Sequence, residues 1–126
     1  MRSTEALTPD TPAQAHNLAE ARSLALHVLI AKKVAENPAL LNKARATLER
    51  WSASRNPKPR RLQEWREILA RPWPEIAALL TSPCAESCRL RKSTPFVGIL
   101  SPAERQHVFD SFKAARFLQN AEKEAS

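Results

Sequence analysis

The chain is expected to fold as an all-α protein, a single compact domain of about six helices with a buried first helix. Three observations lead there. Among 126 residues there is one glycine and no tyrosine, while Ala, Leu, Arg and Glu abound, a composition that favours helices over sheets and tight hairpins. Several of the ten prolines directly follow a capping residue, in Thr11-Pro12, Asn37-Pro38, Ser82-Pro83 and Ser101-Pro102. Proline is tolerated at the first helical position because its missing N–H would have no partner there, so these prolines mark helix starts. Finally, between Leu24 and Ala31 only His27 is polar. That run is too short to cross a bilayer, and a helix apolar on nearly every side must be surrounded by others. Leu26, Val28, Leu29 and Ile30 are therefore expected to be mostly buried.

The elements follow in order. Residues 1–10 are polar and read as a flexible tail, and the helical domain is placed at 11–120. Thr11-Pro12-Ala13-Gln14 has the form of a capping box and opens a first helix running to about Glu36. Asn37 ends it and caps a second helix, giving an αα-hairpin. There Leu41, Ala44, Leu48 and Trp51 share one face. Residues 52–59 are polar, basic and interrupted by two prolines, hence a surface loop. A third helix over about 60–70 turns Leu62, Trp65, Ile68 and Leu69 inward, and Arg71-Pro72-Trp73-Pro74 breaks it. A short fourth helix follows to Leu80, packed through Ile76, Leu79 and Leu80. Ser82-Pro83 opens a fifth with Cys84, Cys88 and Leu90, ending at Arg91-Lys92, where basic residues complement the helix dipole. Residues 94–100 form an apolar loop with the sole glycine, Gly98. Ser101-Pro102-Ala103-Glu104 combines Ser at N-cap, Pro at N1 and Glu at N3, and starts a last helix with Val108, Phe109, Phe112 and Ala115 on one side. Residues 121–126 are expected to be a flexible C-terminal tail.

A domain of this length buries about two-thirds of its unfolded surface, so it needs neither metal nor disulfides to fold. Its net charge of +7 favours acidic partners, either nucleic acid or an acidic protein surface. Residues 1–10 lack the apolar stretch of a signal peptide and no run reaches transmembrane length, so the expected location is cytoplasmic with no membrane partner. Two cysteines fit that compartment.

Few residues carry obvious chemistry. Cys84 and Cys88 stand four apart on one helix, where Cβ atoms lie about 5–6 Å apart, too far for an undistorted disulfide. His16, His27 and His107 add no metal-ligand spacing, so both cysteines read as small packed residues. His27 reads as a core or boundary histidine bonded to a carbonyl or carboxylate. With no partnered nucleophile, no carboxylate pair and no glycine-rich phosphate loop, neither an enzyme nor a cofactor is expected.

The basic residues are more informative. From Arg50 to Arg61 the chain holds Arg50, Arg55, Lys58, Arg60 and Arg61 and no acid, flanked by Trp51 and Trp65. Arg89, Arg91 and Lys92 form a second cluster. Both suit phosphate or carboxylate contacts, although the tryptophans fit core spacing better than a stacking platform. Residues 75–92 have the lengths of a helix-turn-helix with a basic second helix. Thr81, however, stands where the turn often has glycine, and Ser87 where the second helix usually buries an aliphatic residue.

The pattern Glu64-Trp65, Ile68-Leu69, Pro72-Trp73, Ile76 and Leu79-Leu80, then Arg89 through Leu100 and Glu104-Arg105, resembles a group of small helical bacterial proteins associated with toxin–antitoxin and related defence modules. The likeness covers about residues 23–112 and brings no catalytic motif. It implies a partner-binding protein. The expected function is a non-enzymatic, protein-binding regulator, most simply an antitoxin-type inhibitor of a toxin or enzyme with an acidic surface. The alternative is a DNA- or RNA-binding regulator. The residues expected to contact the partner are Arg55, Lys58, Arg60, Arg61, Arg89, Arg91, Lys92 and, from the apolar loop, Phe96.

Overall fold

A computed structural model describes residues 12–55 and 59–125, with side chains over 17–55 and 59–114. The tail at 1–10, the Thr11 cap, Lys58 and the Ala115 side chain lie outside the described residues. Six helices follow one another: α1 (Pro12–Glu36), α2 (Ala39–Ala53), α3 (Arg60–Leu69), α4 (Trp73–Leu80), α5 (Ala85–Arg91) and α6 (Pro102–Ala125). No strand occurs among the described residues. The fold is all-α, and α6 continues past Asn120, the expected end of the helical domain.

Proline and short polar side chains set most helix starts. Pro59 and Pro72 occupy the N-cap positions of α3 and α4, with ψ of 147° at each, so each breaks the preceding chain direction before the helix begins. At α6 the capping box closes in both directions: Ser101 N–H donates to Glu104 Oε1 at 2.7 Å, and Glu104 N–H to Ser101 Oγ at 3.1 Å. Asn37 behaves otherwise. Its backbone carbonyl accepts from Leu40 N–H at 3.0 Å, and α2 opens without a side-chain cap. The fifth helix starts later than Ser82-Pro83 implies. Ser82 Oγ accepts from Cys84 N–H at 3.2 Å, an alternative to helical bonding, and Cys84 becomes the N-cap.

The core gathers Val34 of α1, Ala44 and Leu48 of α2, the four inward residues of α3, Ile76 and Leu80 of α4, and Leu90 of α5. Phe96, Ile99 and Leu100 complete it from the loop before α6. Around this core α1 packs against α2, α4, α5 and α6, which makes it the hub. It is nevertheless a one-sided hub. His27, Ile30, Ala31 and Val34, at offsets 0, 3, 4 and 7, face inward, while Leu26 and Leu29 are half-buried and Val28 is 48 % exposed. The expectation of all-round burial was wrong because α1 lies along the surface of the other helices rather than being enclosed by them.

The apolar loop is also reassigned. Phe96 is 1 % exposed and meets Trp65 edge-on, with centroids 6.1 Å apart and planes at 65°. Gly98, at φ 79°, turns the chain so that Val97 and Gly98 point out while Ile99 and Leu100 return to the core. Phe96, expected as a contact residue, is instead buried in the core and presents no surface to a partner in this structure. Lys43 Nζ ties the turn down at Gly98 O (2.9 Å), and Lys33 Nζ joins α1 to Ile99 O (3.0 Å) and Glu104 Oε1 (2.7 Å).

Candidate functional site

Two basic clusters about thirty residues apart in sequence meet in one groove. Its making starts with Trp65 on α3, fully buried, whose indole N–H is shared between Leu90 O (3.1 Å) and Ser93 Oγ (3.2 Å). That bond holds the end of α5 against α3. Arg66 on the same helix reaches Glu49 of α2 at 2.8 Å, and Arg45 of α2 donates to the terminal carbonyl of α3, Leu69 O, at 3.0 Å. With α2, α3 and α5 so fixed, a basin of about 540 Å³ opens between the end of α2, the start of α3 and the end of α5. Trp51 and Leu62 give it apolar walls, and Arg55, Arg61, Arg89 and Lys92 line it with Ser93.

The cations differ in what they have left to offer. Arg89 is already engaged, reaching both oxygens of Glu64 (3.1 and 2.8 Å) and both of Glu86 (3.2 and 2.6 Å). These bonds hold both carboxyls below the usual carboxylate range and push the guanidinium higher still. Arg55, Arg61 and Lys92 are exposed, and none has an ion-pair partner among the described residues. Arg60 is exposed too but lies outside the groove lining. Moreover, Arg60 and Arg61 occupy the first turn of α3, which contains no acid. A helix N-terminus presents unpaired N–H groups and positive potential, so arginines there oppose helix stability and add to the attraction for an anion.

Arg91 does not belong to this surface. It is 3 % exposed, and its Nη1 donates to Leu80 O (3.1 Å) and Ser82 O (2.7 Å) while Nη2 donates to Cys88 Sγ (3.2 Å). It thereby satisfies the carbonyl end of α4, a structural task that the basic run in the sequence disguised. Trp51 is the converse. Expected in the core, it is half-buried and forms a groove wall. Its place at the last turn of α2, next to the cationic loop, was the available sign.

His27 takes the expected core position, with Nδ1 2.7 Å from Ser23 O, and Nε2 buried without a partner. Burial, opposed by the Ser23 bond and aided by the Arg91 charge, lowers its pKa from 6.5. The unfolded chain therefore binds a proton near pH 6.5 that the folded chain refuses until lower pH. Stability is present in full above about 6.5 and falls as pH drops through the depressed folded value. Urea melts between pH 5 and 7.5 are expected to show this loss, and His27→Gln to flatten it; an equal slope in both proteins would remove His27 as its source.

Cys84 departs from expectation: it is exposed, and hydrogen bonding with the Ser82 and Ser87 side chains pulls its thiol from 9.0 to about 7. Among the described residues no three His, Cys, Asp or Glu side chains cluster to hold a metal, and no helix is long and apolar enough to cross a membrane. No protein family matches the chain, and neither a curated protein nor a solved structure is significantly similar to it.

Proposed function

We propose that this protein is a non-enzymatic regulator that binds a partner protein by taking an acidic segment of it into the groove, as an antitoxin covers its toxin. The observation that carries the reading is the meeting of Arg55, Arg61 and Lys92, without an ion-pair partner among the described residues, with the Trp51 indole in one concavity. A basin of about 540 Å³ takes a few side chains. Carboxylates pair with the cations, while an apolar or aromatic side chain packs on Trp51. The alternative, a nucleic-acid regulator, draws on the same cations and on the indole as a stacking surface for a base. Glu64 and Glu86 favour the protein reading. By engaging Arg89 they leave three separate cations, Arg55, Arg61 and Lys92, which suit a few carboxylates better than a continuous phosphate backbone.

The triple reversal Arg55→Glu, Arg61→Glu and Lys92→Glu tests this. A labelled acidic peptide with one aromatic residue should bind the native protein and lose at least about tenfold in affinity to the variant. That loss should shrink at high salt, as exposed charges are screened. Circular dichroism should be unchanged, since all three side chains are exposed. Tighter binding to single-stranded or duplex nucleic acid, with a steep linear fall of log affinity against log salt, would move the assignment to the alternative.

A further inference from the structure

Cys84 and Cys88 carry chemistry that the groove does not use. Cys84 is an exposed N-cap, with Sγ 3.5 Å from Ser87 Oγ and its N–H on Ser82 Oγ. With its thiol pulled down to about 7, Cys84 carries more thiolate at neutral pH than an ordinary cysteine. Cys88 is half-buried in the same turn, its N–H donating to Cys84 O at 3.0 Å. Against the second sulfur lies Arg91, 97 % buried by its 3 % exposure, with Nη2 at 3.2 Å and its Nε still without a partner. Cys88 and Arg91 also line a cavity of about 100 Å³ with Glu20, Ser23 and Lys92, whereas Cys84 lies outside that lining and meets an oxidant from solvent.

We propose that Cys84 and Cys88 form an oxidisable dithiol, which hydroperoxides close to an intramolecular disulfide and thiol reductants reopen. In the first step the Cys84 thiolate attacks a peroxide oxygen. The O–O bond breaks, the sulfur becomes a sulfenic acid, and the leaving oxygen takes up a proton as water (or as an alcohol from an alkyl peroxide). In the second, Cys88 sulfur attacks Cys84 sulfur. The S–S bond forms, the S–O bond breaks, and the released hydroxide takes the Cys88 proton and leaves as water. Two electrons pass from the two sulfurs to the peroxide, and two thiols with one hydrogen peroxide give a disulfide and two waters. A reductant returns the two electrons by thiol–disulfide exchange.

The obstacle raised by sequence spacing is that Cβ atoms four apart on a helix must close from about 5–6 Å to about 3.5–4.5 Å. Cys84, however, is extended (φ −67°, ψ 160°) and stands outside α5, so only the first turn has to adjust.

The test treats the full chain with hydrogen peroxide, quenches with N-ethylmaleimide in denaturant and reads the intact mass. The native protein should lose two hydrogens and both maleimide sites, and dithiothreitol should restore them. Cys88→Ser should stop at a single-oxygen adduct that dimedone traps. Cys84→Ser should react about tenfold more slowly than the native chain, since the exposed thiol with the lowered pKa is gone. Equal oxidation rates in Cys84→Ser and the native chain would overturn the proposal. So would sulfinic acid or a disulfide-linked dimer in place of the internal bridge.

Discussion

Trp65→Ala is expected to destabilise the protein by about 3–5 kcal/mol, the range for truncating a large buried aromatic. Trp65 is fully buried at the centre of the core. The change empties that space, removes the edge-on contact with Phe96 and leaves the Leu90 carbonyl and Ser93 hydroxyl without the indole N–H. For a domain whose whole stability is about 5–15 kcal/mol, such a loss approaches the limit of folding. Urea denaturation measures it directly. Trp65→Phe, which keeps a ring but not the N–H, should lose less. The same indole bond joins α3 to α5, so Trp65→Phe is also expected to loosen the groove and weaken peptide binding while the fold persists. A loss below about 1 kcal/mol in Trp65→Ala would show that the core does not depend on this residue.

Arg91→Leu is expected to cost about 2–4 kcal/mol. The sign is not obvious, because exchanging a buried charge for an apolar side chain relieves desolvation and is sometimes stabilising. Here the guanidinium has no carboxylate partner among the described residues; it donates to two carbonyls and a sulfur. Leucine leaves Leu80 O and Ser82 O without that donor at the end of α4, and each unsatisfied buried acceptor costs roughly 1–3 kcal/mol. Stability equal to or above that of the native chain would mean that desolvation of the guanidinium outweighs these bonds. The variant has a second readout. With the nearby positive charge gone, the depression of His27 should ease without vanishing, because burial is its larger cause. The acid loss of stability should therefore narrow in Arg91→Leu and flatten further in His27→Gln.

The cationic residues show how far pattern reading reaches. Lys33, Arg45, Arg66, Arg89 and Arg91 hold structure together, each through a partner that sequence distance hides. Arg55, Arg61 and Lys92 have no such partner among the described residues, and they line the groove. In the sequence all eight look alike. A charge run records that cations are present, whereas the position of the nearest carbonyl or carboxylate decides whether they are spent.

What the sequence determined by itself is local. Proline after Ser, Thr or Asn marked the starts of α1, α2 and α6. The Ser101–Glu104 pair foretold a capping box that closes through two hydrogen bonds, and the spacing of Leu62, Trp65, Ile68 and Leu69 named one whole buried face of α3. These features depend on residues within one or two turns, so periodicity and cap chemistry suffice to see them. Only the tertiary structure decided that Val28 faces solvent, that Phe96 plugs the core against Trp65, that Arg91 closes the end of α4 and that Trp51 walls a groove. Each is a matter of which surface another helix covers. Apolar side chains in a row show that burial is favourable, but the docking of elements far apart in the chain chooses which of them are covered.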